Sequence, residues 1–365
     1  MRKIELSYSF TDRAGPRRIH NALMELLGAV REAGSISGAA KLVGLSYRHV
    51  WGELKRWEGE LGHDLIIWDK GQPARLSEFG DKLLWAERQA QARLAPQIAS
   101  LHADLEHAFA VAFDDAAHVL TFFASHDDGL ALLREHAVGH ARLHLDIRFC
   151  GSVDAIRSLN LGRCVMAGFH TPPHAGPGSP SQLAYQNLLQ PGHHKLIGFA
   201  LRSQGLAVAR GNPKGIACLA DLAKPGVRFI NRDLGSGTRV LLDQLMAAAQ
   251  LQPSDIAGYA ISEGSHSAVA EQVASGAADA GLCIAAAAHS RGLDFVQLVQ
   301  EHYFLVCLKA ALDQPAVVAL LDVMRSDGWK QQVAALPGYE PWKSGEVLSL
   351  KHELPWWDLA PKKKR

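Results

Sequence analysis

Gly34-Ser-Ile-Ser-Gly-Ala-Ala-Lys-Leu-Val-Gly-Leu-Ser-Tyr-Arg-His-Val-Trp51 is the stretch on which the architecture turns. Before it, Ile19, Leu23, Leu26, Leu27 and Val30 recur at helical spacing, so residues 18–33 read as one amphipathic helix that Gly34 ends. Ser35 is a natural N-cap for a short second helix carrying Ala39, Ala40, Leu42 and Val43. Two helices cross closely only over small side chains, which Ala39 and Ala40 supply, and Gly44 tolerates the positive φ of a sharp turn. Ser46 then caps a third helix running to about Leu61. Its inner face is Val50, Leu54 and Trp57; it presents Tyr47, Arg48, His49, Trp51, Lys55 and Arg56, a mix suited to base edges and phosphates.

Downstream, Asp64-Leu-Ile-Ile-Trp68, then Asp69-Lys-Gly-Gln-Pro-Ala74, then Arg75-Leu-Ser77 read as strand, turn and strand, a wing. Lys70, Gln72 and Arg75 are its candidate DNA contacts, beside Ser35 and Ser46 at the two caps. On spacing alone, a three-helix domain with no nucleic-acid role also fits. The run AGSISGAAKLVGLSYRHVWGELKRWEGELG (residues 33–62) with LSEFGDKLL (residues 76–84) resembles the winged helix-turn-helix of LysR-type regulators, and still more that of ModE-type molybdate regulators. The resemblance spans roughly residues 18–90 and implies binding to double-stranded operator DNA.

From Ser77 to about Val111 the sequence reads as one long helix. Leu94, Ile98, Leu101, Leu105 and Ala108 alternate spacings of four and three, the seam of a two-stranded coil, while Pro96 is expected to kink or break it. A helix packed on its own domain is the alternative. A dimerisation helix is favoured, because a DNA-reading helix gains specificity by pairing across two half-sites.

The C-terminal 250 or so residues alternate strand-like and helical patterns, which argues for α/β layers with mainly parallel sheets. The strand-like runs are 118–124, 144–150, 164–170, 198–201, 206–209, 227–231, 279–284, 295–298 and 303–307. Ligands in such folds sit at carboxyl ends of strands, facing helix N-termini. The residues there are Ser125-His126, Gly151-Ser152, His170-Thr171, Asn231-Arg232 and Gly264-Ser265-His266. In the turn Gly235-Ser-Gly-Thr-Arg239, glycines permit close backbone approach, Ser236 and Thr238 add hydroxyls, and Arg232 and Arg239 add charge. This is an oxyanion cradle without the Lys-Ser/Thr ending of a nucleotide-hydrolysing loop. Any one of these hydroxyls taken alone is as readily a helix cap.

Residues 118–340 resemble the type II periplasmic-binding-protein fold. Residues 205–246, 273–298 and 301–324 look specifically like the binding domains of molybdate and molybdenum-cofactor proteins. The resemblance implies two lobes joined by crossovers near Leu201 and Gln300. It also implies ligand contacts at Ser125, Ser152, Thr171, Ser236, Gly237, Thr238 and Ser265, with Cys283 a weaker candidate. Molybdate carriers of this kind bind without countercharge. Here His126, Arg232, Arg239 and His266 lie close by in sequence, which admits a larger or more acidic ligand.

The fold expected is thus α/β overall: a winged helix-turn-helix (1–80), a linker helix (81–113), a two-lobed binding domain (114–345) and a tail (346–365). The tail ends in Pro361-Lys-Lys-Lys-Arg365, a solvated basic run that could touch phosphates. A net charge of +1 with 48% hydrophobic and 21% charged residues is that of a soluble globular chain whose basic surface is local. The five cysteines lack paired spacing, and neither a leader nor ~18 uninterrupted apolar residues occur, so a cytoplasmic protein without membrane partners is expected. No catalytic or metal-binding set and no covalently bound cofactor are expected; the pair His193-His194 reads as a loop feature. Together these readings give a homo-oligomeric regulator, dimer or tetramer, sensing molybdate, tungstate or a related anion. The alternatives are a carrier of molybdate or its cofactor, and a regulator sensing a small organic anion such as formate.

Overall fold

The computed structural model describes residues 21–68, 73–113, 118–173 and 175–357. Lys70 and Gln72, and the basic run 361–365, lie outside the described residues. The chain divides into two compact units, Met1–Ala95 and Pro96–Arg365.

In the first unit, helices α1 (Ala22–Ala33), α2 (Ile36–Leu42) and α3 (Tyr47–Leu61) precede a two-stranded antiparallel wing, β1 (Ile66–Ile67) and β2 (Arg75–Leu76). Asn21, Ser35 and Ser46 cap the three helices through their side-chain oxygens, at 3.2, 3.0 and 3.2 Å from backbone nitrogens three residues on. Gly44 makes the turn between α2 and α3 at φ +69°. A Cβ at Gly38 would fall 2.7 Å from that of Ala33, so the close α1–α2 corner requires glycine there. Leu27, Val30, Ala39, Val50, Leu54 and Leu65 form the core. Glu58 was not anticipated: its buried carboxylate accepts from the Leu65 and Ile66 amides at 2.9 and 3.2 Å and ties the wing to α3. Helix α4 (Glu78–Phe113) runs unbroken through Pro96.

The second unit continues with β3 (His118–Ala124), α5 (Asp128–Ala141), β4 (Leu143–Phe149), α6 (Ser152–Asn160), β5 (Met166–Thr171) and α7 (Pro180–Tyr185). The 15-residue strand β6 (His194–Val208) leads to β7 (Phe229–Arg232), α8 (Gly237–Ala248), β8 (Ser262–Glu263), α9 (His266–Ala274), β9 (Ala280–Ile284) and α10 (Ala285–His289). A second 15-residue strand, β10 (Asp294–Leu308), returns to α11 (Pro315–Arg325), α12 (Asp327–Ala334), β11 (Tyr339–Pro341), β12 (Val347–Leu348) and α13 (Leu350–Glu353).

The strand order β4-β3-β5-β10-β6-β9-β7-β8 corrects the expected parallel sheets. Within each lobe the pairs β3–β4, β3–β5, β7–β9 and β7–β8 are parallel. Strands β6 and β10 pair antiparallel to each other along their length, and to β9 and β5 on either side. Each was expected as two short strands, because Arg202-Ser-Gln204 and Gln300-Glu-His302 interrupt the apolar run. The polar triplets are instead the middles of continuous strands that pass from one lobe to the other, with Arg202 opposite Glu301.

Residues 346–357, expected as tail, are part of the fold. Strand β12 pairs with β6, and Leu350, Leu354 and Trp356 are buried in a core with Leu159, Phe169 and Phe304. Among the described residues no helix is long and apolar enough to cross a membrane.

Candidate functional site

Helix α3 carries the first set of candidates. Tyr47, Arg48 and His49 are exposed in its first turn, and Arg48 has no ion-pair partner among the described residues. Lys55 and Arg56 are less free. Lys55 Nζ donates to Glu58 at 2.6 Å and sits over the Trp51 ring, while Arg56 bridges Glu53 and Glu60, at 2.6 and 2.5 Å, and lies over Trp57. Trp51 meets Trp68 edge-on, ring centroids 5.2 Å apart. Arg75 is exposed on the wing, and Ser35 and Ser46 act as helix caps.

The second set lies where the crossover strands meet the strand ends of both lobes. Arg202, wholly buried, donates from Nε and Nη2 to Glu301 at 2.8 and 2.5 Å and from Nη1 to Asp127. Tyr339 Oη donates to the same Asp127 oxygen at 2.6 Å, and Gln204 Nε2 donates to Glu301 at 2.7 Å. His170 Nδ1 lies 2.6 Å from the other Glu301 oxygen. Burial alone would raise the Glu301 pKa, but His170 and Arg202 hold it down at about 2. The Arg202 guanidinium is therefore matched by two carboxylates. His170 had been read only as a strand-end residue, and none of Arg202, Gln204, Glu301 or Tyr339 was among the sequence candidates. The signal for Arg202 and Glu301 was charge inside an apolar run.

Around this belt the expected residues take varied parts. Ser125 and Ser152 lie Oγ to Oγ at 3.3 Å. A Cβ at Gly151 would come within 2.6 Å of the Gly235 carbonyl oxygen, so the start of α6 and the Gly235 turn of the other lobe are in direct apposition. Likewise a Cβ at Gly237 would fall 2.3 Å from His170 Nε2. Ser236 caps α8, accepting from the Arg239 amide at 3.2 Å, and donates to Asp233 O at 2.8 Å. Ser265 caps α9, at 3.1 Å from the Ala268 amide. Thr238 Oγ1 accepts from Gln204 at 3.1 Å, and Thr171 Oγ1 faces Pro172 O at 3.4 Å. Asn231 donates to Tyr259 O at 3.0 Å and accepts from the Arg232 amide at 2.8 Å. Cys283 is buried, and desolvation pushes its thiol up to about 12. Arg239 Nε bonds Asp243 at 3.3 Å and its guanidinium lies over Tyr259, so its charge is engaged on α8 itself.

Several buried side chains carry polar atoms without a partner, and Arg232, His266 and His170 are basic ones among them that lie at strand ends. Arg232, 2% exposed, donates from Nη1 to Glu263 O at 2.7 Å, yet its Nε has no partner and no carboxylate pairs with it among the described residues. Burial lowers its pKa to about 10. His266, 1% exposed, has both ring nitrogens unpartnered, and His170 Nε2 is unpartnered as well. His126, half-buried against Phe149, is pushed down to about 4 by desolvation. Buried donors without acceptors are costly, and a buried guanidinium without a counter-ion more so. Among the described residues no cluster of three or more His, Cys, Asp or Glu is arranged to hold a metal ion.

Residues 133–325 match the family described as PBP superfamily domain, and residues 22–81 match the bacterial regulatory helix-turn-helix protein, lysR family. The uncharacterized protein YvgK of Bacillus subtilis (strain 168) is 34% identical over 201 residues, 55% of this chain and 64% of that protein, so the chain spans less than two thirds of that relative. An uncharacterized protein in the ferredoxin 2Fe-2S gene 5' region of Clostridium pasteurianum is 32% identical over 115 residues, 30% of this chain and 98% of that protein. Full-length CbnR complexed with its target DNA is 17% identical, covering 83% of this chain and 97% of that chain at a TM-score of 0.41. LysG of Corynebacterium glutamicum with bound effector Arg is 16% identical, covering 82% and 95% at 0.39.

Proposed function

The chain belongs to the PBP superfamily through residues 133–325 and carries a lysR-family helix-turn-helix at residues 22–81, and from this premise we propose that it is a ligand-responsive transcriptional regulator. The helix-turn-helix family it matches consists of regulators, not enzymes. In this reading α3 reads operator DNA, with Arg48 at base edges and Lys70, Gln72 and Arg75 of the wing at phosphates. A small anion is held between the lobes of the binding domain. The chain acts as a homo-oligomer in the cytoplasm. Leu94 and Leu101, 40% and 57% exposed on α4, form the seam that a second copy covers.

The observation that carries the ligand reading is Arg232: a buried guanidinium with an open Nε and no carboxylate partner among the described residues. Removing a charge from water without a counter-ion costs several kcal/mol, about what a bound anion restores. The contact set is Arg232 and His266 with Ser125, His126, Ser152, Thr171, Asn231, Ser236, Gly237, Thr238 and Ser265, from both lobes. Cys283 adds its position near Arg232, but no charge. Arg239 is left out of the set because Asp243 and Tyr259 engage it. The favoured anion is molybdate, tungstate or a related molybdenum-cofactor ligand, supported by the resemblance of residues 205–246. Formate or another small carboxylate is the second reading, favoured by Arg232 because a guanidinium fork matches a carboxylate.

Calorimetric titration of the full chain with molybdate, tungstate, sulfate and formate, with and without operator DNA, tests both parts. Linkage requires that the operator change anion affinity by the factor by which the anion changes operator affinity. Equal affinities in the two titrations would leave a carrier in place of a sensor.

A further inference from the structure

Resting on the reading of the cleft as an anion site, we propose that it takes an oxyanion carrying two negative charges together with one proton, which His266 accepts as the anion enters.

The charges around His266 lead to this. The groups whose charge bears on the ring are Arg232 from β7 and Arg202 from β6, then His170 from β5 and His126 from the segment after β3. The acidic groups in the neighbourhood are largely committed. Asp127 and Glu301 bracket Arg202. Glu263 accepts from Gln272, and Asp233 accepts from Ser262 at 2.7 Å. Asp128 is half-buried and raised to about 6 by desolvation and by Asp127. Arg232 makes no ion pair with a carboxylate among the described residues, although Asp233 and Glu263 favour its charge from nearby, so an entering anion finds one guanidinium to pair with.

His266 adds an inducible charge. Burial first, and then the positive charges of Arg232 and Arg202, push its pKa well below the usual value, so the ring is neutral while the site is empty. A neutral imidazole has one donor and one acceptor nitrogen, and both nitrogens are open here. An oxyanion only accepts hydrogen bonds, so it leaves the lone-pair nitrogen of a neutral ring unsatisfied. Imidazolium offers two donors instead. A second negative charge on the ligand reverses the electrostatic penalty that keeps the ring neutral, whereas a monoanion matched by Arg232 does not. The proton comes from solvent, so binding is linked to pH with a definite sign: affinity rises as pH falls, because the complex holds one proton more than its parts.

The test is to titrate the full chain with sodium molybdate at about pH 6.5 in weakly buffered solution, recording acid consumption and heat together. The expected result is uptake of about one proton per anion and an affinity rising about tenfold per unit fall in pH. Sodium formate, a monoanion, binds with no uptake. His266→Asn binds molybdate more weakly, without uptake and with a flat pH profile. Should that variant fail to fold, the contrast between molybdate and formate in the unaltered chain decides alone. Molybdate binding without proton uptake, or uptake that persists in His266→Asn, overturns the proposal while the anion site stands. Failure of every anion to bind overturns the anion reading and this proposal with it.

Discussion

Two arginines of this chain sit in opposite surroundings. Arg56 on α3 is exposed and bridges Glu53 and Glu60 of its own helix, three and four residues away. Arg202 on β6 is wholly buried and bridges Asp127 and Glu301, 75 and 99 residues away. The contacts are alike in type and distance, but the energetics are not. At the surface water screens the pair and replaces it at little cost, whereas in the interior the loss of one partner strands the others in a medium that cannot solvate them. The first network decorates a helix; the second joins the two crossover strands to the first lobe. Arg232 is a third case, buried and without an ion-pair partner among the described residues.

The largest effect is expected from breaking the buried network. Arg202→Met leaves Asp127 and Glu301 without the guanidinium they share, and should destabilise the binding domain by about 3–5 kcal/mol in urea unfolding. Adding Glu301→Gln should recover part of the loss. Since the folded pKa of Glu301, about 2, lies below its ordinary 4.5, its contribution is complete above that ordinary value and is lost as pH falls from there towards 2. An Arg202→Met chain as stable as the parent would erase the contrast with Arg56.

Arg232→Met should act in two directions. Anion binding should weaken by at least about 1.5–3 kcal/mol, the worth of a charge-assisted hydrogen bond, read by calorimetry. The empty protein should melt at a higher temperature, because an uncompensated buried charge is gone. A lower melting temperature with unchanged affinity would place Arg232 with Arg202, as structure only.

On α3 the comparison sharpens between neighbours. Arg48→Ala should cost about 1–3 kcal/mol of operator affinity if Arg48 meets a guanine edge, measured by fluorescence anisotropy. Arg56→Ala should change operator affinity less, since Glu53 and Glu60 already hold its guanidinium, and should leave thermal stability indistinguishable from the parent. A reversed order would mean that DNA draws Arg56 out of its ion pairs.

Much of the chain was legible without coordinates, for a physical reason. Helix caps, glycine turns and apolar periodicity act over three to four residues, so Ser35, Gly44, Ser46 and the length of α4 could be read directly from the order of side chains. So could the strand ends that carry Ser125, Ser152, Arg232 and His266, because a strand-to-helix turn has a local signature. What only the tertiary structure decided depends on residues far apart in sequence. Arg202-Ser-Gln204 looks like a break until Glu301, Asp127 and Tyr339 are brought around it. Val347–Trp357 looks like a tail until β6 offers it an edge and Phe304 a core. The same holds for the hydroxyls: whether Ser236 caps a helix and whether Arg232 lacks a carboxylate depend on which atoms the two lobes place within hydrogen-bonding reach. Local chemistry sets the elements; burial and long-range pairing determine which of their polar atoms are satisfied and which are left for a ligand.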